Sequence, residues 1–146
     1  MIVIEFLQTS CSYHRQEQDL RELGALLTQL HNEPRAVIAT FPMAAHIAIA
    51  RDEANIGDTS IVGMATLVPV YTLNSCKGLV EDVVVLESYR GQGISKQLMQ
   101  ALIEKAKELK LKHLELTSRP EREVANRLYE RLHFFRRPTN AYRLEL

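Results

Sequence analysis

Arg90-Gly91-Gln92-Gly93-Ile94-Ser95 is the segment whose residue types and spacing are best suited to chemistry. It follows the β-branched run Val83-Val84-Val85. It precedes Ile94, Leu98, Leu102, Ala106 and Leu109, which recur every three or four residues like the buried stripe of a helix. A turn between a strand and a helix gathers unpaired backbone N–H groups at the positive end of the helix dipole, and such a point binds anions. Gly91 and Gly93 leave room for phosphate oxygens to reach that backbone and permit turn dihedrals that a side chain restricts. Arg90 can add a charge-assisted contact. A glycine turn of this length also serves as a plain compact connection, so the surrounding sequence must decide.

Two phosphate-binding patterns are excluded by counting. In Gly91-Gln92-Gly93-Ile94-Ser95-Lys96, a lysine stands where the dinucleotide fingerprint needs its third glycine. No Gly-Lys-Ser/Thr follows a glycine at the Walker offset either.

The elements that must position this loop read as one α/β domain spanning residues 1–146. Met1 to Leu7 is a strand, and Asp19 to Leu30 places Leu20, Leu23, Leu27 and Leu30 on one helical face. Ala36 to Phe41, bracketed by Pro34 and Pro42, predicts one or two helical turns. A strand begins at His46, Ile56-Gly57-Asp58 reads as a turn, and Ile61 to Tyr71 and Leu79 to Leu86 are further strands around the turn Asn74 to Gly78. After the glycine loop and its helix, His113 to Thr117 is a strand. The helical crossover requires it to run parallel to Val83-Val85. A second helix carries Val124, Leu128 and Leu132, and Phe134 to Arg136 and Tyr142 to Leu144 predict two last strands.

Composition narrows the function class. Eighteen Lys+Arg balance eighteen Asp+Glu, so no overall basic field points to nucleic acid. Cys11 and Cys76 lack metal-ligand spacing and make no disulfide framework, which leaves no metal expected and suits a reducing cytoplasm. The apolar start Met1 to Ile4 is cut by Glu5, and no segment approaches transmembrane length, so a membrane partner is not expected.

The run from Val83 to Leu98 resembles the acetyl-CoA motif of the GNAT superfamily of N-acetyltransferases, in which Arg or Gln opens the pattern and glycines follow. Ala125-Asn126-Arg127-Leu128-Tyr129-Glu130-Arg131-Leu132-His133-Phe134 is similar to the family's second signature, Ala-x-x-Leu-Tyr-x-x-Leu-Gly-Phe. The resemblance covers the whole chain and is most specific between Glu81 and Phe134. It implies a mixed, mostly antiparallel sheet of six to seven strands with about four helices, splayed near the CoA loop.

The same resemblance implies roles. The backbone of Val83, Val84 and Val85 would receive the acetyl-pantetheine arm, with the Val85 N–H as a sharper oxyanion candidate. Arg90, Gly91, Gln92, Gly93, Ile94 and Ser95 would hold the pyrophosphate. Ser95 departs from the family's Gly or Ala and could donate to phosphate or cap the helix. Tyr129 matches the acid that protonates the departing thiolate. Asn126 would contact pantetheine or phosphate, or be an ordinary helix-surface residue. Glu81 matches a general base, and simple alternation sends Asp82 to the opposite face. His133 replaces a glycine where left-handed backbone is expected, at a small stability cost.

Three functions follow as expectations: acetyl transfer to a small-molecule primary amine, acetylation of a peptide or protein, or a non-catalytic CoA-binding regulatory module. The last is favoured if Glu81 points into the core. The acceptor cleft would come from Leu7 to Arg15, Ala36 to Phe41 and Val68 to Cys76. Relatives in the family are commonly dimers, so a second copy of the chain is an expected partner.

Overall fold

The computed structural model describes residues 1–7, 13–32, 45–54 and 60–146. Cys11, the turns expected at Ala36 to Phe41 and at Ile56 to Asp58, and part of the expected acceptor cleft lie outside them. The chain divides into two compact units, Met1–Leu116 and Thr117–Leu146.

The first unit is a sheet between two helices. Its elements are β1 (Ile2–Phe6), α1 (Tyr13–His31), β2 (His46–Asp52), β3 (Ile61–Tyr71), β4 (Cys76–Val85), α2 (Ile94–Glu108) and β5 (Leu114–Glu115). Spatial order equals chain order, with β1 to β4 antiparallel and β5 parallel to β4, as the α2 crossover requires.

Alternation along β2 and β3 builds two different faces. One carries Ile47, Ile49, Ile61 and Met64, which with Val84 pack against Leu23 and Leu26 of α1. The other is lined by small residues, Ala48, Ala50, Gly63 and Ala65, so α2 approaches closely. A Cβ on Gly63 would stand 3.2 Å from Leu98 and 3.1 Å from the Val84 carbonyl. Ile94, Leu98, Met99, Leu102 and Ala106 are the buried stripe of α2, and each fully buried large apolar side chain contributes about 1.5–3 kcal/mol. Lys110, at φ 55°, closes α2 with bonds from its own N–H to Lys107 O and from Leu111 N–H to Ala106 O, a Schellman end.

One polar network fastens α1 across the sheet. The Arg51 guanidinium donates to Glu5 (2.9 Å), to both carboxylate oxygens of Asp19 (3.1 and 3.2 Å) and to Ser60 Oγ (2.6 Å). Glu22 of α1 accepts the Ile61 N–H that begins β3, and both Asp19 and Glu22 are buried. Buried charges are tolerated because each is multiply bonded.

The second unit holds α3 (Glu123–Arg131). Leu128 and Leu132 of the expected apolar face are half-buried, while Val124 is exposed.

The sheet therefore has five strands and the described residues three α-helices, against an expectation of six to seven strands and about four helices. Phe134 to Arg136 and Tyr142 to Leu144 are not strands, and the expected five-residue strand at His113 is reduced to Leu114–Glu115. Alternation supplies a strand-like face, but a strand also needs a neighbour for its ladder bonds. Phe135, Tyr142 and Leu144 have no ladder partner among the described residues and are exposed. No helix among the described residues is long and apolar enough to cross a membrane.

Arg51→Ala leaves Asp19 buried without its guanidinium and should cost about 3–5 kcal/mol in urea denaturation, with Asp19→Asn in the same chain recovering part of it. A loss below about 1 kcal/mol would show that the network does not fasten α1.

Candidate active site

β4 carries the first feature of the site. Its pairing to β3 runs Thr66↔Glu81, Met64↔Val84 and Gly63↔Val85, so Asp82 and Val83 together face the single residue Ala65. This is a β-bulge, and Asp82 makes it by adopting left-handed backbone at φ 52°. Aspartate tolerates that region better than most residues because its short side chain bonds locally. On its other side β4 is paired, among the described residues, to β5 only at Gly78 and Leu79. Leu86 N–H donates to Val62 O on β3 at 2.8 Å, so the planar trans peptide sends the Val85 carbonyl the opposite way. By alternation the N–H groups of Val85 and Val83 point to that open side as well. The Val84 and Val85 side chains are meanwhile buried in the core, so packing and an exposed backbone edge coexist.

Glu81 and Asp82 sit at the bulge. Glu81 is exposed rather than in the core, and it lies opposite Thr66 on the α1 side of the sheet. Partial burial, aided by the charge of Asp82, pushes its carboxyl above the ordinary range. Burial pushes Asp82 up too, opposed by the His31 imidazole at the end of α1. The bulge interrupts simple alternation between Glu81 and Val84, and the Asp82 charge acts on Glu81 from the adjacent position.

Beyond β4 the chain makes a 3-10 turn at Glu87–Tyr89 and enters the glycine loop. The Tyr89 hydroxyl donates to Asp52 at the end of β2 (3.0 Å), tying the turn to the sheet. The Ala54 N–H, with Tyr89 adding to it, holds Asp52 below the usual carboxylate range. Arg90 is exposed and lies 3.6 Å from Glu87. Gly91 and Gly93 both have φ 79°, a region costly for residues with a Cβ, and a Cβ at either would meet nothing within 4 Å. The glycines are thus required by the backbone turn, while the space above it is open. Gly93 is the N-cap of α2 and supplies no side-chain cap, which leaves the first-turn N–H groups without intrahelical partners. Ser95 lies inside that first turn, so capping is not its role. With only Lys105 and Lys107 in the last turn and no acid in the first, the side chains of α2 leave its positive end unneutralised.

In the second unit, α3 carries Asn126 and Tyr129. The Asn126 amide donates to the carbonyls of Arg119 (3.1 Å) and Pro120 (3.4 Å), holding the turn before the helix. Tyr129 packs edge-on against Phe134, with ring centroids 6.1 Å apart. Burial raises its phenol, against the opposing charge of Arg122, so it stays a protonated donor through neutral pH. His133 has φ 66°, and its N–H and that of Phe134 bond back to Glu130 O and Tyr129 O at 3.0 Å each. This is the left-handed helix end expected there, made with histidine in place of glycine.

The first unit therefore brings Glu81, Val83, Val84, Val85, Arg90, Gly91, Gln92, Gly93, Ile94 and Ser95 onto one continuous strand, loop and helix start; the second brings Asn126 and Tyr129 onto one helix. Sequence reasoning missed three residues. Gln29 of α1 donates from Nε2 to Val85 O at 3.0 Å, Tyr89 anchors the loop, and Ser118 Oγ is buried without a hydrogen-bond partner among the described residues. Only tertiary structure joins Gln29 to Val85, so no local pattern could have found it. His46 faces Leu67 across β2 and β3, level with Val80 of β4 and two strands away from it, and Tyr71 is exposed at the hairpin.

The geometry has known counterparts. Residues 5–134 match the family model for the acetyltransferase (GNAT) family. No curated protein matches the sequence. Among solved structures, an acetyltransferase of Trypanosoma brucei superposes with a TM-score of 0.78 at 25% identity, covering 100% of both chains. A ribosomal-protein-alanine N-acetyltransferase of Brucella melitensis biovar Abortus 2308 gives 0.73 at 22%, covering 100% of this chain and 99% of that one. An aminoglycoside acetyltransferase from an uncultured soil metagenomic sample gives 0.77 at 15%, covering 99% and 97%. With the family model matched over most of its length, the chain belongs to the acetyltransferase (GNAT) family.

Proposed function

We propose that the protein transfers an acetyl group from acetyl-CoA to a primary amine, by direct attack while both substrates are bound. One observation carries this reading: the open edge of β4 past its bulge leads directly into a loop whose two left-handed glycines uncover the N-terminus of α2. The residues present suit CoA. Strand peptide groups can bond the amides of its pantetheine arm, and loop amides at a helix start suit its pyrophosphate. Arg90 adds a positive charge beside that anion.

In the reaction the amine nitrogen attacks the thioester carbonyl, the C–N bond forms, and the C–S bond breaks to release the CoA thiolate. The Val85 N–H stabilises the developing oxyanion. Tyr129 gives its phenolic proton to the thiolate. Glu81, directly or through a water, accepts the proton lost by the ammonium. Exposure of Glu81 favours catalysis over a non-catalytic CoA-binding module. Asp82 is the alternative base, favoured by its deeper burial at the bulge. The acceptor is a small-molecule amine in the leading reading and a peptide in the second. The neighbours do not choose, since one is named for a ribosomal protein and another for aminoglycosides.

Acetyl-CoA titrated against wild type and Gly93→Asp tests the donor, and the variant should bind at least about tenfold more weakly because a carboxylate meets the pyrophosphate. Equal affinities would contradict the donor assignment. With an amine found by thiol-release screening, Tyr129→Phe should lower kcat by about 10² at a rate-limiting chemical step. The acid limb of kcat/KM should lie above the ordinary carboxylate range, because the base works only when deprotonated and its pKa is raised. Asp82→Asn removes a neighbouring negative charge and should move that limb to lower pH if Glu81 is the base. If the limb disappears with Asp82 and survives Glu81→Gln, Asp82 is the base.

A further inference from the structure

We infer that Gln29 determines how large an acyl group the donor site accepts, an inference that rests on the CoA reading above. Gln29 lies in the last turns of α1, a helix already docked on the sheet through Leu23 and Leu26, with Leu27 and Leu30 packed alongside. Its carboxamide is therefore not needed to seat the helix. Instead it reaches the open edge of β4, where Nε2 donates to the Val85 carbonyl at 3.0 Å in a partly buried contact.

That carbonyl and the Val85 N–H leave the strand on the same side, within one residue of each other, about 3.3 Å along the chain. A thioester whose carbonyl oxygen accepts the Val85 N–H thus has its acyl group beside the Gln29 carboxamide. A methyl fits in that interval. Further methylenes meet the carboxamide, and moving it aside breaks its bond and leaves the Val85 carbonyl without a partner in a partly desolvated place. The cost falls on longer acyl chains and not on CoA itself, so Gln29 acts on selectivity more than on affinity.

Isothermal titration of CoA, acetyl-CoA and butyryl-CoA into the full chain tests this without an acceptor. Wild type should prefer acetyl-CoA over butyryl-CoA by at least about tenfold, the low end of what a closed apolar slot gives per methylene. Gln29→Ala should shrink that preference to about threefold or less, with CoA binding unchanged. Gln29→Met keeps the bulk but cannot donate to the Val85 carbonyl, so its preference should fall between those of wild type and Gln29→Ala. If Gln29→Ala fails to fold, Gln29→Ser carries the comparison. The inference is overturned if wild type binds the two thioesters equally, if the small variants keep the wild-type ratio, or if Gln29→Met keeps the whole preference, which would leave the bond to Val85 without a role. Failure of wild type to bind CoA at all would sink the donor reading itself, a result distinct from unchanged selectivity.

Discussion

The bulge at Asp82 and Val83 is the constraint on which the rest of the site depends. Two residues of β4 face one of β3 there, and Asp82 accommodates the extra length by entering left-handed backbone. The insertion bends the strand and leaves its pairing with β5 confined to Gly78 and Leu79. Peptide groups that a regular sheet would consume in ladder bonds are thereby turned outward at Val83 and Val85. Burial at this point raises the carboxyls of both Glu81 and Asp82, with the Asp82 charge adding to the effect on Glu81. Strained backbone of this kind persists only where the surroundings over-determine it. Here they do, with β3 paired on both flanks of the bulge and α1 and α2 packed on opposite faces.

The stability of that frame and the openness of the site come from different residues. Apolar side chains on each face, Val84 and Ile94 among them, and the Arg51 network hold α1, α2 and the strands in place without drawing on the side of β4 to which the Val83 and Val85 N–H groups point. The loop itself is tied to the sheet at its entry by Tyr89 on Asp52, while a Cβ at Gly91 or Gly93 would meet no described residue within 4 Å. A site assembled in this way is rigid where it must present N–H groups and uncrowded where a large polar ligand must lie.

Much of the frame was legible in the sequence because it is written in periodicity. Ile61–Tyr71 and the start of α2 at Ile94 appear where the pattern puts them, and the parallel crossover to β5 follows from handedness alone. The glycine loop was legible because left-handed backbone and a helix start leave a signature in residue type. His133 kept its left-handed role although its residue type departs from glycine. What sequence hid was tertiary. Alternation could not show that two residues, Asp82 and Val83, face the single residue Ala65. No spacing rule connects Gln29 to Val85 across 56 positions. Tyr142 and Leu144 alternate like a strand, yet alternation says nothing about whether a pairing edge is present.

The most direct test of the account is the state of two backbone amides. In a uniformly 15N-labelled protein, the Val83 and Val85 N–H groups should exchange with solvent faster than that of Val84, which points to β3. Saturating acetyl-CoA should slow both and shift their resonances while leaving Val84 nearly unchanged. If Val83 and Val85 are already protected without ligand, or if acetyl-CoA binds and leaves both unaffected, the open edge of β4 is not where the donor is held.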